Sequence, residues 1–287
     1  MGRWFPLKGR RKYVHCCRRQ VSVLEGTVLY RSNLPPMAWF YAMLLMANSS
    51  IGMRTSFLRK QLGLGIKSTA RLGLLIRLHM ASCDRPNQLG GPGKIVYVDE
   101  ALVPYVKRGR GALQQRTPLI VMGFACEDQV ISGFIPNRTS TTFLAAINRF
   151  VRPGSVIITD GHASYKGLRS RGWQHVVVNH SVAFHDFRGN TLNPIETYWR
   201  VLKRTAFGYR QFDSENAWLY LAEVEFRYNR RRSGVALFES LIGRFEAIGR
   251  EERLRLERCY DWRLCTPRGN RSAPFGHSNT WEYPGCH

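Results

Sequence analysis

The chain has 287 residues, 44% of them hydrophobic, which suffices for one sizeable core with a smaller module beside it and excludes a disordered chain. Its 43 Lys and Arg against 20 Asp and Glu leave a formal charge of +23, so a polyanion is the first partner to consider, with ribosomal or membrane-surface binding as other uses of the excess. Seven scattered cysteines do not form a disulfide framework and fit a reducing cytoplasm.

Residues 1–33 are basic and turn-rich, and the first fifteen lack the apolar core of a secretory signal. Cys16 and Cys17 beside His15 look like half of a zinc knuckle. A structural zinc site takes four ligands in two pairs, no second pair lies upstream, and free thiols are the expected state. Residues 34–82 read as helices. The run 37–47 is apolar almost all round, which suits a core helix and is too short to span a bilayer. Next come T-S-F-L-R-K-Q-L-G, a turn, and a longer helix from Ile66 whose start carries Lys67, Ser68 and Arg71. Two helices joined by a short Gly-containing turn have the form of a helix-turn-helix that reads DNA, although any three-helix bundle gives the same pattern. Residues 83–93 are dense in Gly and Pro and read as a linker.

From 94 to 250 the period changes. Apolar runs at 95–98, 119–124 and 130–135 read as strands, the last two joined by a hairpin-length turn. An amphipathic helix over 140–151 follows, then strands at 156–159 and 175–178 with a short helix between them, then helices over 193–206, 214–229 and 235–249. Three strands, helix, strand, helix, strand, helix is the order of an α/β RNase H-like fold, a mixed sheet with flanking helices, here preceded by the small all-α domain. From 251 to 287 the sequence reads as an irregular tail.

Two of the strand-like runs stop at an acid. K-I-V-Y-V-D-E ends on Asp99 and V-I-I-T-D on Asp160, while Glu196 sits in the first turn of the helix opened by Asn193 and Pro194. Carboxylates converging from two strand ends and a helix start make a hard, oxygen-rich site for Mg²⁺ or Mn²⁺. Each has a plainer reading. Asp160 could cap the turn of T-D-G-H, Glu196 could answer the helix dipole, and Asp99 competes with Glu100, whose side chain points to the opposite face of the strand. Lys203 lies two turns beyond Glu196, beside Arg204. It is either a phosphate contact or solvated, and the same choice holds for the basic loop with Lys107, Arg108 and Arg110 and for the run around Arg230.

C-R-R-Q-V-S-V-L-E-G-T-V-L, L-P-P-M-A-W-F, V-D-E-A, T-D-G-H-A-S-Y, V-N-H-S, N-P-I-E-T-Y-W-R-V-L-K-R and E-F-R-Y-N-R-R, in this order, resemble the ISXO2-like (IS1595-type) insertion-sequence transposases. The resemblance implies a DDE enzyme with an RNase H-like core and with Asp99, Asp160 and Glu196 as its metal-holding acids. It implies His180 and Asn193 beside that site. It also implies Mg²⁺-dependent cleavage of double-stranded DNA at element ends, joining to target DNA, and a homo-oligomer on DNA in the cytoplasm, at the nucleoid, with no membrane partner. The chain departs from the family in lacking the first cysteine pair of the usual zinc ribbon and the Gly pair after the first D-E. A catalytically silent DNA-binding relic and an RNase H-like nuclease without strand transfer are the competing readings.

Overall fold

The computed structural model describes residues 5–6, 12–14, 20–22, 24–30, 32–83, 85–103, 118–178, 193–209, 216–232 and 237–265. Three short strands come first, β1 (Phe5–Pro6), β2 (Lys12–Val14) and β3 (Gln20–Ser22), paired antiparallel. The helices α1 (Pro36–Asn48), α2 (Thr55–Leu62) and α3 (Ile66–Ser82) follow. Pro36 opens α1 at a position where no amide donor is needed. Gly63 ends α2 in the left-handed conformation, its amide donating to the Arg59 carbonyl. No helix among the described residues is long and apolar enough to cross a membrane.

Beyond β4 (Leu89–Gly90) lie β5 (Ile95–Val103), β6 (Leu119–Cys126), β7 (Gln129–Ile135), α4 (Ser140–Phe150), β8 (Val151–Arg152), β9 (Val156–Thr159) and β10 (Gln174–Val177). The main sheet has the order β10-β9-β5-β6-β7. β5, β6 and β7 form an antiparallel meander, whereas β9 and β10 run parallel to β5. This is the RNase H-like sheet expected from the order of elements.

Side chains alternate across the sheet and build two cores. One face packs Val96, Val98, Met122 and Phe124 against Phe143 and Ile147 of α4. The other packs Ala101, Val103, Val121 and Ile158 against α5 (Asn193–Tyr209) and α6 (Ala217–Asn229), through Ile195, Tyr198, Leu202 and Trp218. A third cluster joins α1, α2 and α3 to Phe226 of α6 and Leu241 of α7 (Leu237–Ile242).

Three elements differ from their sequence reading. β5 does not stop at Asp99 but runs on to Val103, because Ala101 and Val103 continue the buried alternation and the pairing with β6, so the acid sits inside the strand. The helix expected over 235–249 is confined to α7, because Gly243 breaks the pattern and the chain beyond it pairs with residues 24–30. Val28 donates to the Phe245 carbonyl and Ala247 to that of Gly26. Where the tail reads as irregular from 251, α8 (Arg250–Tyr260) forms instead. Glu251 and Glu252 stabilise its first turn, Arg255 bridges back to Glu252, and only Leu256 and Tyr260 are buried. Two apolar positions one turn apart are too sparse for a periodicity signal.

Polar residues buried on α6 tie these layers together. Glu223 accepts from Arg77 of α3 at 2.8 Å and from the Tyr209 hydroxyl at the end of α5. Gly52, at φ +82°, leaves room for that tyrosine, since a Cβ there would lie 2.2 Å from its hydroxyl oxygen. Glu225 is 1% exposed and pairs with Arg85 at 2.6 Å, from within the Gly- and Pro-dense stretch; it also accepts from the Ser132 amide and hydroxyl on β7.

Removing one partner of a buried pair strands the other charge, so Arg85→Ala is expected to cost about 3–5 kcal/mol in urea unfolding. A loss within about 1 kcal/mol, the value of an exposed pair, would show that water reaches Glu225.

Candidate active site

Parity along β5 decides between the two acids at its centre. Val96 and Val98 face α4, whereas Tyr97, Ala101 and Val103 face α5 and α6. Asp99 belongs with the second set and Glu100 with the first. On β9, Ile157 faces α4 and Ile158 faces α5, so Asp160, just past the strand, shares the α5 face with Asp99. The strands run parallel with Val96 opposite Ile157 and Tyr97 opposite Ile158. Carried two residues on, the same register sets Asp99 opposite Asp160.

α5 supplies the third acid. It begins at Asn193, and Ile195, Tyr198 and Leu202 bury its inner face. Glu196 is half-buried in the first turn, one turn ahead of Trp199. The Trp199 indole N–H donates to Asp99 Oδ2 at 2.8 Å. Gly123 lies opposite Asp99 on β6, and a Cβ there would come within 2.7 Å of the indole and 3.0 Å of Ile195. Glycine inside this strand therefore marks a close approach of helix to sheet.

Electrostatics single out Asp99. Burial pushes its carboxyl up to about 6, and the nearby charges of Glu100 and Asp160 add to the rise, against the hydrogen bonds from the Glu100 amide and Trp199. Asp160 Oδ1 accepts the His162 amide at 2.9 Å, so the expected turn-capping contact is present. Behind it, Thr159 Oγ1 donates to the Asp160 carbonyl and shares a 2.8 Å hydrogen bond with His175 Nε2. Glu100, on the other face, accepts from the Tyr165 hydroxyl at 2.9 Å and lies 3.6 Å from the Arg138 guanidinium.

The remaining candidates are distributed over the surface. Lys67, Ser68 and Arg71 are exposed at the start of α3, and Lys203 and Arg204 are exposed on α5. Arg230 is half-buried, with its guanidinium 4.4 Å from the centre of the Phe226 ring. His180, the side chain of Asn193, the loop with Lys107, Arg108 and Arg110, and His15, Cys16 and Cys17 lie outside the described residues. Sequence reasoning missed Trp199 and Gly123 as parts of this site. A lone Gly inside V-M-G-F and a Trp three residues after Glu196 were the available signals.

Among the described residues, no three His, Cys, Asp or Glu side chains gather into a ready-made cation site. The donor set still fits Mg²⁺ or Mn²⁺. Mg²⁺ keeps several waters and is held by one or two carboxylates together with substrate phosphates. A carboxylate whose charge is disfavoured by burial also gains from a neighbouring cation.

The mixed five-stranded sheet with helices on both faces defines an RNase H-like α/β protein. The sequence profile of the ISXO2-like transposase domain matches residues 89–229. A transposase-like protein of Haemophilus influenzae, itself uncharacterised, is 31% identical over 116 residues, which cover 40% of this chain and 94% of that protein. The chain belongs to the ISXO2-like transposase family. Among solved structures, the Mos1 strand transfer complex is similar at 12% identity and a TM-score of 0.30, covering 80% of this chain and 79% of that one. The Mos1 paired-end complex with the left transposon end gives 12% and 0.24, covering 70% and 80%.

The raised carboxyl of Asp99 sets a pH-dependent stability. Below the unfolded value of 3.8 the group is protonated in both states and costs nothing; as pH rises through about 6, charging it in the folded protein costs stability. Asp99→Asn keeps an acceptor for Trp199 and removes that charge. In metal-free buffer it is expected to raise stability by about 2–3 kcal/mol at pH 7.5 and not at pH 3.5, as read by urea unfolding. An equal change at both pH values would contradict the burial of this charge.

Proposed function

We propose that this protein cuts DNA at the ends of an insertion element and joins them to target DNA, with Asp99, Asp160 and Glu196 as the acids that hold a divalent cation. The observation that carries this reading is the register of β5 and β9, which aligns Asp99 with Asp160 on the face covered by the helix of Glu196. A divalent cation held by such carboxylates supplies positive charge to the attacking and leaving oxygens of an in-line phosphoryl transfer. The protein's own part is to hold the acids, exclude water behind them with Ile195, Tyr198 and Leu202, and keep the DNA backbone in place.

Backbone contact falls to the cations. Lys203 stands seven residues beyond Glu196, close to the same helix face, and the exposed first turns of α3 present Lys67, Ser68 and Arg71 to a duplex. Double-stranded DNA is the polyanion that the charge of +23 suits, and pairing of two element ends calls for at least two copies of the chain. The family profile and the Haemophilus influenzae relative support the transposase reading.

The deciding experiment incubates the native chain and Glu196→Gln with Mg²⁺ and DNA carrying the flanking element ends. The native chain is expected to cut and join, and the variant to bind with unchanged affinity and lose at least a hundredfold in cutting rate, roughly the scale of losing one preorganised charge at a reacting centre. Binding without cutting by both proteins would identify a silent DNA-binding relic, and cutting without joining a nuclease. Lys67→Ala with Arg71→Ala is expected to lower the salt dependence of DNA binding by about two phosphate contacts. An unchanged slope would remove α3 from the interface.

A further inference from the structure

We infer that Trp199 is a positioning residue for the site, fixing Asp99 and the helix of Glu196 by one hydrogen bond from a neutral donor, and that Gly123 is the notch that permits it. The inference rests on the proposed role of these acids. Trp199 is 4% exposed, and its only polar atom reaches Asp99 Oδ2 at 2.8 Å. An indole N–H can donate and can do nothing else. A cation at this place would neutralise Asp99 and compete with a metal, whereas a neutral donor occupies one lone pair and leaves the carboxylate's charge for a metal ion.

The same contact fixes α5. The indole edge comes this close to β6 only because residue 123 has no Cβ, and Ile195 packs against the same notch. Ile195 and Trp199 lie one turn apart on the buried side of the helix, with Glu196 between them. Helix rotation is therefore locked at the turn that carries the acid. A side chain that orients a metal-holding group through a hydrogen bond commonly contributes ten- to a hundredfold in metal affinity.

The test uses the full chain labelled with ¹⁵N at tryptophan, Mn²⁺ as the probe, and the indole resonances of its seven tryptophans. The Trp199 indole resonance, assigned through its bonds, is expected to broaden first as Mn²⁺ is added, and to do so only at higher Mn²⁺ in Asp160→Asn. In Trp199→Phe, and independently in Gly123→Ala, the Mn²⁺ concentration for half-saturation, measured by electron paramagnetic resonance, is expected to rise at least tenfold. Affinity for DNA without metal should be unchanged in both. Native-like Mn²⁺ binding by both variants, or broadening that spares Trp199 in the native chain, would overturn the inference. Weakened Mn²⁺ binding in the variants of a chain that never cuts DNA supports the positioning role and refutes the transposition chemistry. Normal cutting with an unchanged metal requirement in folded variants does the reverse.

Discussion

The architecture depends on the approach of α5 to the sheet at Gly123. The acids of the candidate site come from elements far apart in sequence, and their alignment reduces to two constraints. Parallel pairing of β5 with β9 fixes Asp99 relative to Asp160 through backbone hydrogen bonds. Docking of α5 then fixes Glu196 relative to both, through Ile195 and Trp199 on a strand position that tolerates no side chain. A helix held only by interdigitated aliphatic groups has some freedom to slide. One anchored by a directional bond to a carboxylate of the sheet has much less.

α6 plays the corresponding role for the rest of the chain. Its two buried glutamates reach opposite ways, Glu223 to Arg77 of α3 and Tyr209 of α5, Glu225 to Arg85 and Ser132. Such pairs contribute little net stability over an apolar core of the same shape, but they are directional. They set how the N-terminal helices lie against the sheet, and thereby the spatial relation between the cationic start of α3 and the acids. Arg85 lies over the Tyr260 ring at 4.0 Å, so α8 is held by the same pair.

Much of the sheet was legible because its strands are apolar runs that end abruptly. Asp160 stands out because β9 stops just before it, whereas Asp99 lies inside β5, where strand parity alone separates it from Glu100. The helix start at Asn193 was legible from the Asn-Pro pair alone and needed no tertiary information. What escaped detection depends on contacts distant in sequence. Gly123 reads as an ordinary small residue until an indole lies on it. Nothing in the local sequence marks Glu223 and Glu225 as buried, since their partners Arg77 and Arg85 lie more than a hundred residues away. α8 is hidden because two buried positions hold it, and α7 was overestimated because Gly243 was read as part of a longer helix.

On the proposed function, the sheet register and the docked helix together form one cation-binding centre. Diffraction from crystals of the full chain soaked in Mn²⁺, recorded for the anomalous signal of the metal, tests it most directly. A peak is expected in coordinating contact with the carboxylates of both Asp99 and Asp160, on the α5 side of the sheet, with Trp199 still donating to Asp99. A peak elsewhere on the protein, or one that contacts Glu100 on the α4 side, would contradict it.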